Sequence, residues 1–215
     1  MIYILARINL HNVFFLPRKL RSLFYIPFNR VKFTLLGAKI GKNFRVYNKF
    51  YLLMNPTSTI EIGDNFTFTN GEAYNPLCRN IRGCIYTSEL SQLKIGNNVG
   101  ISSACIWVKE NIVIGNNVMI GGDSVIMDTD AHNLDYLVRR NKYQNVKGSS
   151  VNDYSSSNSK PINIGDDVLI GTRSIILKGV SIGARSIIGA GSVVVKSIPS
   201  DCIAGGNPCR VIRYL

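Results

Sequence analysis

The chain has 215 residues and a formal net charge of +12 at pH 7. Its length fits one domain with a small appendage, and a hydrophobic fraction of 46% supplies a core. Five scattered cysteines without a CxxC pair, together with only two histidines, His11 and His132, exclude a Cys/His zinc motif. We expect reduced cysteines, packed as small hydrophobic side chains in a cytoplasmic protein.

The N-terminal segment is strongly basic. Residues 1–49 carry ten lysines and arginines and no acid, whereas the rest of the chain carries 15 basic and 13 acidic residues. This asymmetry predicts an anionic partner for the segment. Arg7 and Asn9 interrupt its apolar start, so we expect neither a membrane span nor a signal peptide. No nucleic-acid motif accompanies the charge, and we expect no nucleic-acid partner.

Two interpretations of this segment remain open. Mixed Leu, Phe, Arg and Lys residues suit a helix lying on an anionic membrane surface, such as the inner face of the cytoplasmic membrane. They equally suit a helix that packs its apolar side on the domain and leaves its basic side in water. We interpret His11 as a structural residue in either case.

A six-residue repeat organises the rest of the chain. From Ile164 the sequence divides into IGDDVL, IGTRSI, ILKGVS, IGARSI, IGAGSV and VVKSIP, each beginning with an aliphatic residue. The pattern recurs at 95–106 and 114–131, and more weakly from residues 40 and 62. A period of six fits neither an amphipathic helix nor an alternating strand. It predicts a solenoid of short strands and turns, three units to a coil, with the aliphatic position inside.

This repeat resembles that of the hexapeptide-repeat acyltransferases. The ending, GAGSVVVKSIPSDCIAGGNPCRVIRYL, is similar to the closing segment of the maltose and galactoside O-acetyltransferase branch. The resemblance covers about residues 40–215 and implies an all-β domain, a left-handed parallel β-helix, after a short helical segment at 1–39. It also implies acetyl-CoA as co-substrate, no metal, and a homotrimer with active sites between neighbouring subunits. The β-helical carbonic anhydrases need three zinc-binding histidines, which this chain lacks.

The repeat stops between Thr129 and Pro161, and His132 lies at the start of this polar loop. Solenoids place insertions at corners, where a rigid scaffold positions them. Acylation of an alcohol needs a general base, and a histidine is the usual one. Asp130 and Asp135 are both near enough in sequence to orient it. The resemblance implies the same role for His132, within the D-x-D-x-H pattern at 128–132.

The resemblance assigns further residues to the site. It implies that the Gly171–Thr172 turn supplies an oxyanion amide and lines the coenzyme tunnel, that Ala190 contacts the pantetheine arm, and that cations bind the phosphates. These cations are Lys196, Arg210 and Arg213, with Lys178 a fainter candidate.

The acceptor side is less defined. Ser102 or Ser103 is a candidate acceptor-binding residue, with a plain corner as the alternative. Trp107 offers either a stacking face for a sugar or a packed core residue. Leu169 stands where related sugar acetyltransferases often have tryptophan, which leaves the substrate open.

These features predict an acetyl-CoA-dependent O-acetyltransferase acting on a sugar or glycan hydroxyl. The basic N terminus favours an acceptor carried on a lipid, as in the assembly of cell-surface polysaccharide. The alternatives are acetylation of a small xenobiotic alcohol or an amino sugar, and a non-catalytic β-helix that serves as a binding module.

Overall fold

The computed structural model describes residues 2–71, 74–78, 81–141 and 154–215. The side chains of residues 2–15, 19, 78 and 141 lie outside this description, and so does the role predicted for His11. Residues 142–153, within the predicted loop 129–161, also lie outside the described residues.

The chain begins with a helix of 34 residues, α1 (Ile2–Leu35), which lies within the helical segment expected at 1–39. The helix ends at Leu35, and Gly37 follows with a φ of +93°, which suits a residue without a Cβ. Gly37 N–H donates to Thr34 O and Ala38 N–H donates to Phe33 O, both at 3.0 Å. These two bonds form a Schellman motif, which turns the chain into the first strand. Within the described residues, no helix is long and apolar enough to cross a membrane.

Among the described residues, three sheets of parallel strands form the sides of a triangular solenoid, and the chain visits sheet 1, sheet 2 and sheet 3 in turn. Sheet 1 contains β1 (Lys39–Ile40), β4 (Thr59–Ile62), β7 (Gln92–Ile95), β10 (Asn111–Ile114), β13 (Ile162–Ile164) and β16 (Ser181–Ile182). Sheet 2 contains β2 (Arg45–Val46), β5 (Thr67–Thr69), β8 (Gly100–Ser102), β11 (Met119–Ile120), β14 (Leu169–Ile170), β17 (Ile187–Ile188), β19 (Cys202–Gly205) and β20 (Arg210–Tyr214). Sheet 3 contains β3 (Tyr51–Met54), β6 (Cys84–Thr87), β9 (Cys105–Val108), β12 (Val125–Met127), β15 (Ile175–Leu177) and β18 (Val193–Val194).

These strands stack as six coils of a left-handed parallel β-helix, which confirms the fold class predicted from the repeat and the resemblance. Only β20 runs antiparallel within the described sheets, against β19. The described residues of 71–83 and of 129–161 leave the coils as two excursions. The first contains a 3₁₀ turn (Pro76–Cys78), and the second contains a short helix, α2 (Tyr136–Asn141).

The repeat's aliphatic residues fill the interior as predicted, but the first two coils are filled differently. Phe44, Phe66 and Phe68 are fully buried there. Phe33 of α1 packs against Phe44, with ring centroids 5.0 Å apart, and against Phe50 at 5.5 Å. The C-terminal end of α1 therefore covers the N-terminal end of the core. Aromatic side chains replace aliphatic ones in these coils, and this is why the repeat is weak before residue 60.

A polar ladder stabilises the corner between sheets 1 and 2. Asn43 Nδ2 donates to Asn65 Oδ1, Asn65 to Asn98, Asn98 to Asn117 and Asn117 to the Asp167 carboxylate, over distances of 2.8–2.9 Å. All five residues have a φ between +55° and +59°, which Asn and Asp tolerate better than most residues. The repeated Asn and Asp residues of the sequence therefore serve the turns at this corner.

Candidate active site

The root of the long loop is fixed by Asp128, four residues before His132. The Asp128 side chain is fully buried. Its Oδ1 accepts the N–H of Lys109 at 2.6 Å, and its Oδ2 accepts those of Glu110 and Asn111 at 2.8 Å. Burial raises the pKa of the Asp128 carboxyl, and the three backbone N–H groups oppose that rise. The carboxylate thus ties the loop to the segment that joins β9 to β10.

We expect Asp128→Ala to lower the free energy of unfolding by about 3 kcal/mol, because three N–H groups lose a buried, charged acceptor. Chemical denaturation, with the m-value compared between variants, measures this change. Glu61→Ala is the control, because it removes an exposed carboxylate whose ion pair with Lys39 lies in water. If Asp128→Ala lowers the free energy of unfolding no more than Glu61→Ala does, Asp128 does not hold the root of the loop.

The far limb of the loop is held by Lys109 and an aromatic pair. Lys109 Nζ donates to the carbonyls of Tyr154 and Ser157, both at 2.6 Å. Burial lowers the pKa of Lys109. The Tyr154 ring stacks on Trp107 with centroids 5.6 Å apart, and Trp107 Nε1 donates to the Tyr154 hydroxyl at 2.9 Å. Trp107 therefore faces outward from sheet 3, beneath Tyr154, and lies outside the interior of the coils.

The two limbs contact each other along their length. Thr129 forms a β-bridge with Ser159, and Asp130 N–H donates to Asn158 O at 3.0 Å. Asn133 Nδ2 donates to Ser156 O at 3.0 Å. His132 lies within this closed stretch with its side chain exposed to solvent. The scaffold thus positions the backbone of the predicted base from both sides.

The two acids predicted to orient His132 have other contacts. Asp130 forms an ion pair with Lys178, and both side chains are about four-fifths buried, at 19% and 22% exposed. Asp135 Oδ1 accepts the N–H of Leu137 at 2.8 Å and so caps the N terminus of α2. An orienting role for either acid stays a prediction. A coenzyme-binding role for Lys178 likewise stays a prediction.

A second corner carries unusual backbone amides. At the corner between sheets 1 and 2, the second turn residue of each of the first four coils donates its N–H to a side chain one coil further on, as Lys42 does to Asp64 at 2.7 Å. At the corner between sheets 2 and 3, the equivalent residues are Gly122, Thr172 and Ala190. Among the described residues, no acceptor bonds the N–H of any of these three. Small residues at these positions therefore leave amides that a ligand can use.

The first residue of that turn has a different role. Gly171 N–H donates to Ile188 O at 2.8 Å, so Thr172 carries the amide of the predicted oxyanion turn that still lacks an acceptor within the described residues. A Cβ at Gly171 would lie 2.4 Å from Ala190 N and 2.7 Å from Ala190 Cα. Glycine is needed here because backbone of the next coil occupies the space.

We expect Gly171→Ala to destabilise the protein by roughly 1–3 kcal/mol through this backbone clash. Gly189→Ala is the matched control one coil further on, because the nearest heavy atom to its added Cβ is 3.6 Å away, an ordinary contact. Thermal unfolding of both variants measures the difference. Equal unfolding temperatures would contradict the close stacking at this corner.

The two candidate acceptor serines differ in exposure. Ser103 is 1% exposed, its hydroxyl accepts the N–H of Gly71 at 2.9 Å, and it donates to Thr69 O at 3.3 Å. It therefore fixes the start of the 71–83 excursion. Ser102 is half-buried, and its Oγ accepts a hydrogen bond from the Thr69 hydroxyl at 3.2 Å. Of the pair, Ser102 is the better placed to meet a ligand.

The predicted phosphate-binding cations lie in two places. Lys196 follows β18 at the corner between sheets 3 and 1, on the same edge as His132. Arg210 and Arg213 lie on β20, beside sheet 2. All three are exposed. Leu169, at the position noted above for tryptophan, points outward from sheet 2 and is 44% exposed.

A single chain does not bring the predicted base and the predicted oxyanion amide together. His132 leaves the corner between sheets 3 and 1, whereas Thr172 and Ala190 lie at the corner between sheets 2 and 3. A strand of three residues, β15, spans the distance between these corners and is roughly 10 Å long. Within one chain, the predicted base and the predicted oxyanion amide therefore lie on opposite sides of sheet 3.

Two grooves on the described surface lie elsewhere. One of about 620 Å³ follows sheet 1 from Lys39 to Asn116, and one of about 530 Å³ follows β13 and β16. None of the predicted site residues lines either groove. Within the described part of the chain, no group of three or more His, Cys, Asp or Glu residues is arranged to hold a metal ion.

Sequence reasoning missed Lys109 and Tyr154. Lys109 interrupts the repeat in the stretch "WVKEN", and Tyr154 lies in the polar loop, so neither follows a pattern that indicates a contact between them. The break in the repeat at 107–111 was the one signal for an unusual corner. The contact itself depends on how the loop folds back.

Comparison with known proteins supports the repeat and the ending. The pattern described as the hexapeptide repeat of succinyl-transferase matches residues 161–196. Galactoside O-acetyltransferase of Escherichia coli K12 is 36% identical over 132 residues, which are 61% of this chain and 58% of that protein. Other curated relatives are matched over 44% and 28% of their lengths. The chain thus spans about half or less of these relatives.

Two solved structures extend the likeness. A hexapeptide-repeat acetyltransferase of Vibrio cholerae, in complex with acetyl-CoA, is 27% identical with a TM-score of 0.53, over 91% of this chain and 80% of that one. A galactoside acetyltransferase in complex with coenzyme A is 28% identical with a TM-score of 0.52, over 84% of this chain and 68% of that one. In its six coils and its closing segment, the chain is similar to these hexapeptide-repeat acetyltransferases.

Proposed function

We propose that the protein transfers an acetyl group from acetyl-CoA to a hydroxyl of a sugar or glycan, with His132 as general base. The observation that carries the proposal is the pair of amides of Thr172 and Ala190, which lack acceptors among the described residues and lie on successive coils. The two relatives solved with acetyl-CoA or coenzyme A support a coenzyme at such a surface.

The chemistry assigns one step to each group. An imidazole nitrogen of His132 takes the proton of the acceptor hydroxyl while the hydroxyl oxygen attacks the thioester carbon. Thr172 N–H donates to the oxyanion that develops on the thioester oxygen. The C–S bond then breaks, and the coenzyme sulfur leaves with the proton that His132 held. A general base contributes about 10²–10⁴ to the rate and one oxyanion donor about 10²–10³.

The coenzyme fits the same corner. The amide of Ala190 can donate to a carbonyl of the pantetheine arm, and Gly189 and Gly191 beside it add no side-chain bulk. The exposed cations Lys196, Arg210 and Arg213 supply charge for the phosphates of the nucleotide. Because these cations lie on two edges of one chain, a single phosphate group need not contact all three.

The protein acts as a homotrimer in this proposal, with His132 and Thr172 of each site on different chains. The outer face of sheet 3, which separates the two corners, is apolar and includes the exposed side chains of Tyr51, Leu53 and Val195. Packing this face against another copy removes apolar surface from water. Light scattering coupled to gel filtration is expected to give three times the chain mass, and a monomer would contradict the shared site.

An acceptor panel tests the reaction class. Free thiol released from acetyl-CoA is followed with neutral sugars, amino sugars and small alcohols in parallel. Release with neutral sugars is the expected result. Release with amino sugars alone would replace O-acetylation by N-acetylation. Binding of coenzyme without release, for every acceptor including lipid-linked glycans, would favour the non-catalytic module.

A further inference from the structure

Helix α1 packs on the solenoid along one face only. Phe33 is fully buried, and Asn29 Nδ2 donates to the carbonyls of Val46 and Asn48 at 2.9 Å. Two turns nearer the N terminus, the Ser22 hydroxyl lies 2.7 Å from the Tyr74 hydroxyl. These residues all lie on the same side of a helix with 3.6 residues per turn. This face of α1 therefore packs on the domain, which is one of the two interpretations given above for the N-terminal segment.

The opposite face of α1 is an exposed apolar stripe, which we define as Leu16, Leu20, Leu23, Phe24, Phe28, Val31 and Leu35. Each of these side chains is at least half exposed, and Leu23 reaches 74%. At about 100° per residue, they fall within an arc of roughly 140° that points away from the solenoid. Stripes of this width normally lie against another apolar phase.

Cations border the apolar stripe on both sides. At the same angular spacing, Arg21 falls just beyond Phe28 on one edge, and Arg30 falls just before Leu23 on the other. Both arginines are exposed. No acidic residue occurs before Glu61, so no carboxylate of the N-terminal segment offsets this charge. An apolar stripe between two cationic edges is the arrangement of a helix that lies in the interface of an anionic bilayer.

We propose that α1 docks on a membrane surface rich in anionic phospholipid, with the apolar stripe in the acyl boundary and Arg21 and Arg30 at the headgroups. The solenoid then lies on the aqueous side, because the packed face of α1 is opposite the stripe. This inference concerns a surface remote from Thr172 and His132 and does not depend on the proposed acetyl transfer.

Vesicle flotation tests the docking with the full chain. Phosphatidylcholine vesicles are compared with vesicles in which part of the lipid is phosphatidylserine. We expect the native chain to float with the anionic vesicles and to bind neutral ones at least tenfold more weakly. Added salt is expected to reduce binding, since each cation near the surface contributes about fivefold.

Three variants separate the contributions. Leu23→Glu with Phe24→Glu removes the centre of the apolar stripe and should abolish flotation. Leu90→Glu is the matched control: Leu90 is 75% exposed, against 74% for Leu23, but lies on a turn of the solenoid, so binding should be retained. Arg21→Gln with Arg30→Gln should weaken binding to anionic vesicles more than tenfold. Circular dichroism and the unfolding temperature confirm that each variant is folded.

Several outcomes would overturn the proposal. Equal binding to neutral and anionic vesicles would show that the cations do not contribute to docking. No binding to either kind of vesicle would show that α1 does not dock on a membrane. Retained binding by the Leu23 and Phe24 variant would place the contact elsewhere. If the native chain does not float and that variant loses subunits in light scattering, the stripe packs against a second copy of the chain.

Discussion

Replacing His132 by alanine is expected to lower kcat/KM for acetyl transfer by about 10²–10⁴. The hydroxyl of a sugar is too weakly acidic to ionise unaided at neutral pH, so attack on the thioester requires a group that takes its proton. The described loop holds the backbone around His132 through Asp128 on one limb and Lys109 on the other. The imidazole is exposed, and its removal should leave the fold unchanged.

Steady-state kinetics of His132→Ala measure this loss, and coenzyme binding by calorimetry shows whether the variant still forms the first complex. A loss in kcat with unchanged coenzyme affinity identifies a group that acts on the reacting atoms. Asn158→Ala is a useful control, because it changes an exposed side chain in the facing limb whose described contact is made through its carbonyl. Comparable losses in both variants would assign the effect to loop structure and not to the base.

Replacing Thr172 by proline is expected to lower kcat by about 10²–10³, because proline removes the amide that donates to the oxyanion. Thr172→Ala keeps the amide and removes only the hydroxyl, which donates to Gly122 O in the structure. We therefore expect Thr172→Ala to retain most of the activity. The difference in kcat between the two variants measures the contribution of the Thr172 N–H alone.

Proline can also disturb a turn, and Ala184→Pro controls for this. Ala184 occupies the second turn position at the corner between sheets 1 and 2, and within the described residues its N–H has no acceptor either. It lies away from the corner that carries Thr172 and Ala190. Loss of activity in Ala184→Pro equal to that in Thr172→Pro would attribute the effect to the backbone, whereas retained activity supports the oxyanion role.

The coils were predictable because their physics is local. An aliphatic residue every six positions must fill a narrow interior, and this gave the strands of sheets 1, 2 and 3 from Ile95 onward. The loop at 129–161 could be identified because the six-residue pattern is absent there. The first coils were harder to predict because Phe44, Phe66 and Phe68 fill them, and aromatic residues do not stand out as members of an aliphatic repeat.

The supports of the loop were not predictable, because they join residues that are far apart in the chain. Lys109 and Tyr154 are separated by 45 positions, and their contact requires the loop to fold back over Trp107. Asp128 lies in the D-x-D-x-H pattern, but nothing in that pattern shows that it serves the backbone of residues 109–111. The contact of α1 with the end of the solenoid was left open, because the sequence of the segment suits a membrane surface as well as a packed helix.

The amides of Thr172 and Ala190, which have no acceptor among the described residues, could be predicted in part from the sequence. Where a turn of the repeat carries Asn or Asp at its second position, that side chain accepts the N–H of the preceding coil, as Asn116 does for Asn97 at 2.9 Å. Gly122, Thr172 and Ala190 are not Asn or Asp, so the preceding coil has no such side-chain acceptor at this corner. Ala184 shares this feature at the corner between sheets 1 and 2, so the sequence alone does not distinguish the two corners.

Mass spectrometry of the acceptor tests the central claim most directly. The native chain is incubated with isotopically labelled acetyl-CoA and a neutral sugar that promotes thiol release. We expect a sugar that gains one labelled acetyl group, bound as an ester that mild base removes, and no such product with His132→Ala. Thiol release without any labelled sugar, or equal product from both proteins, would contradict it.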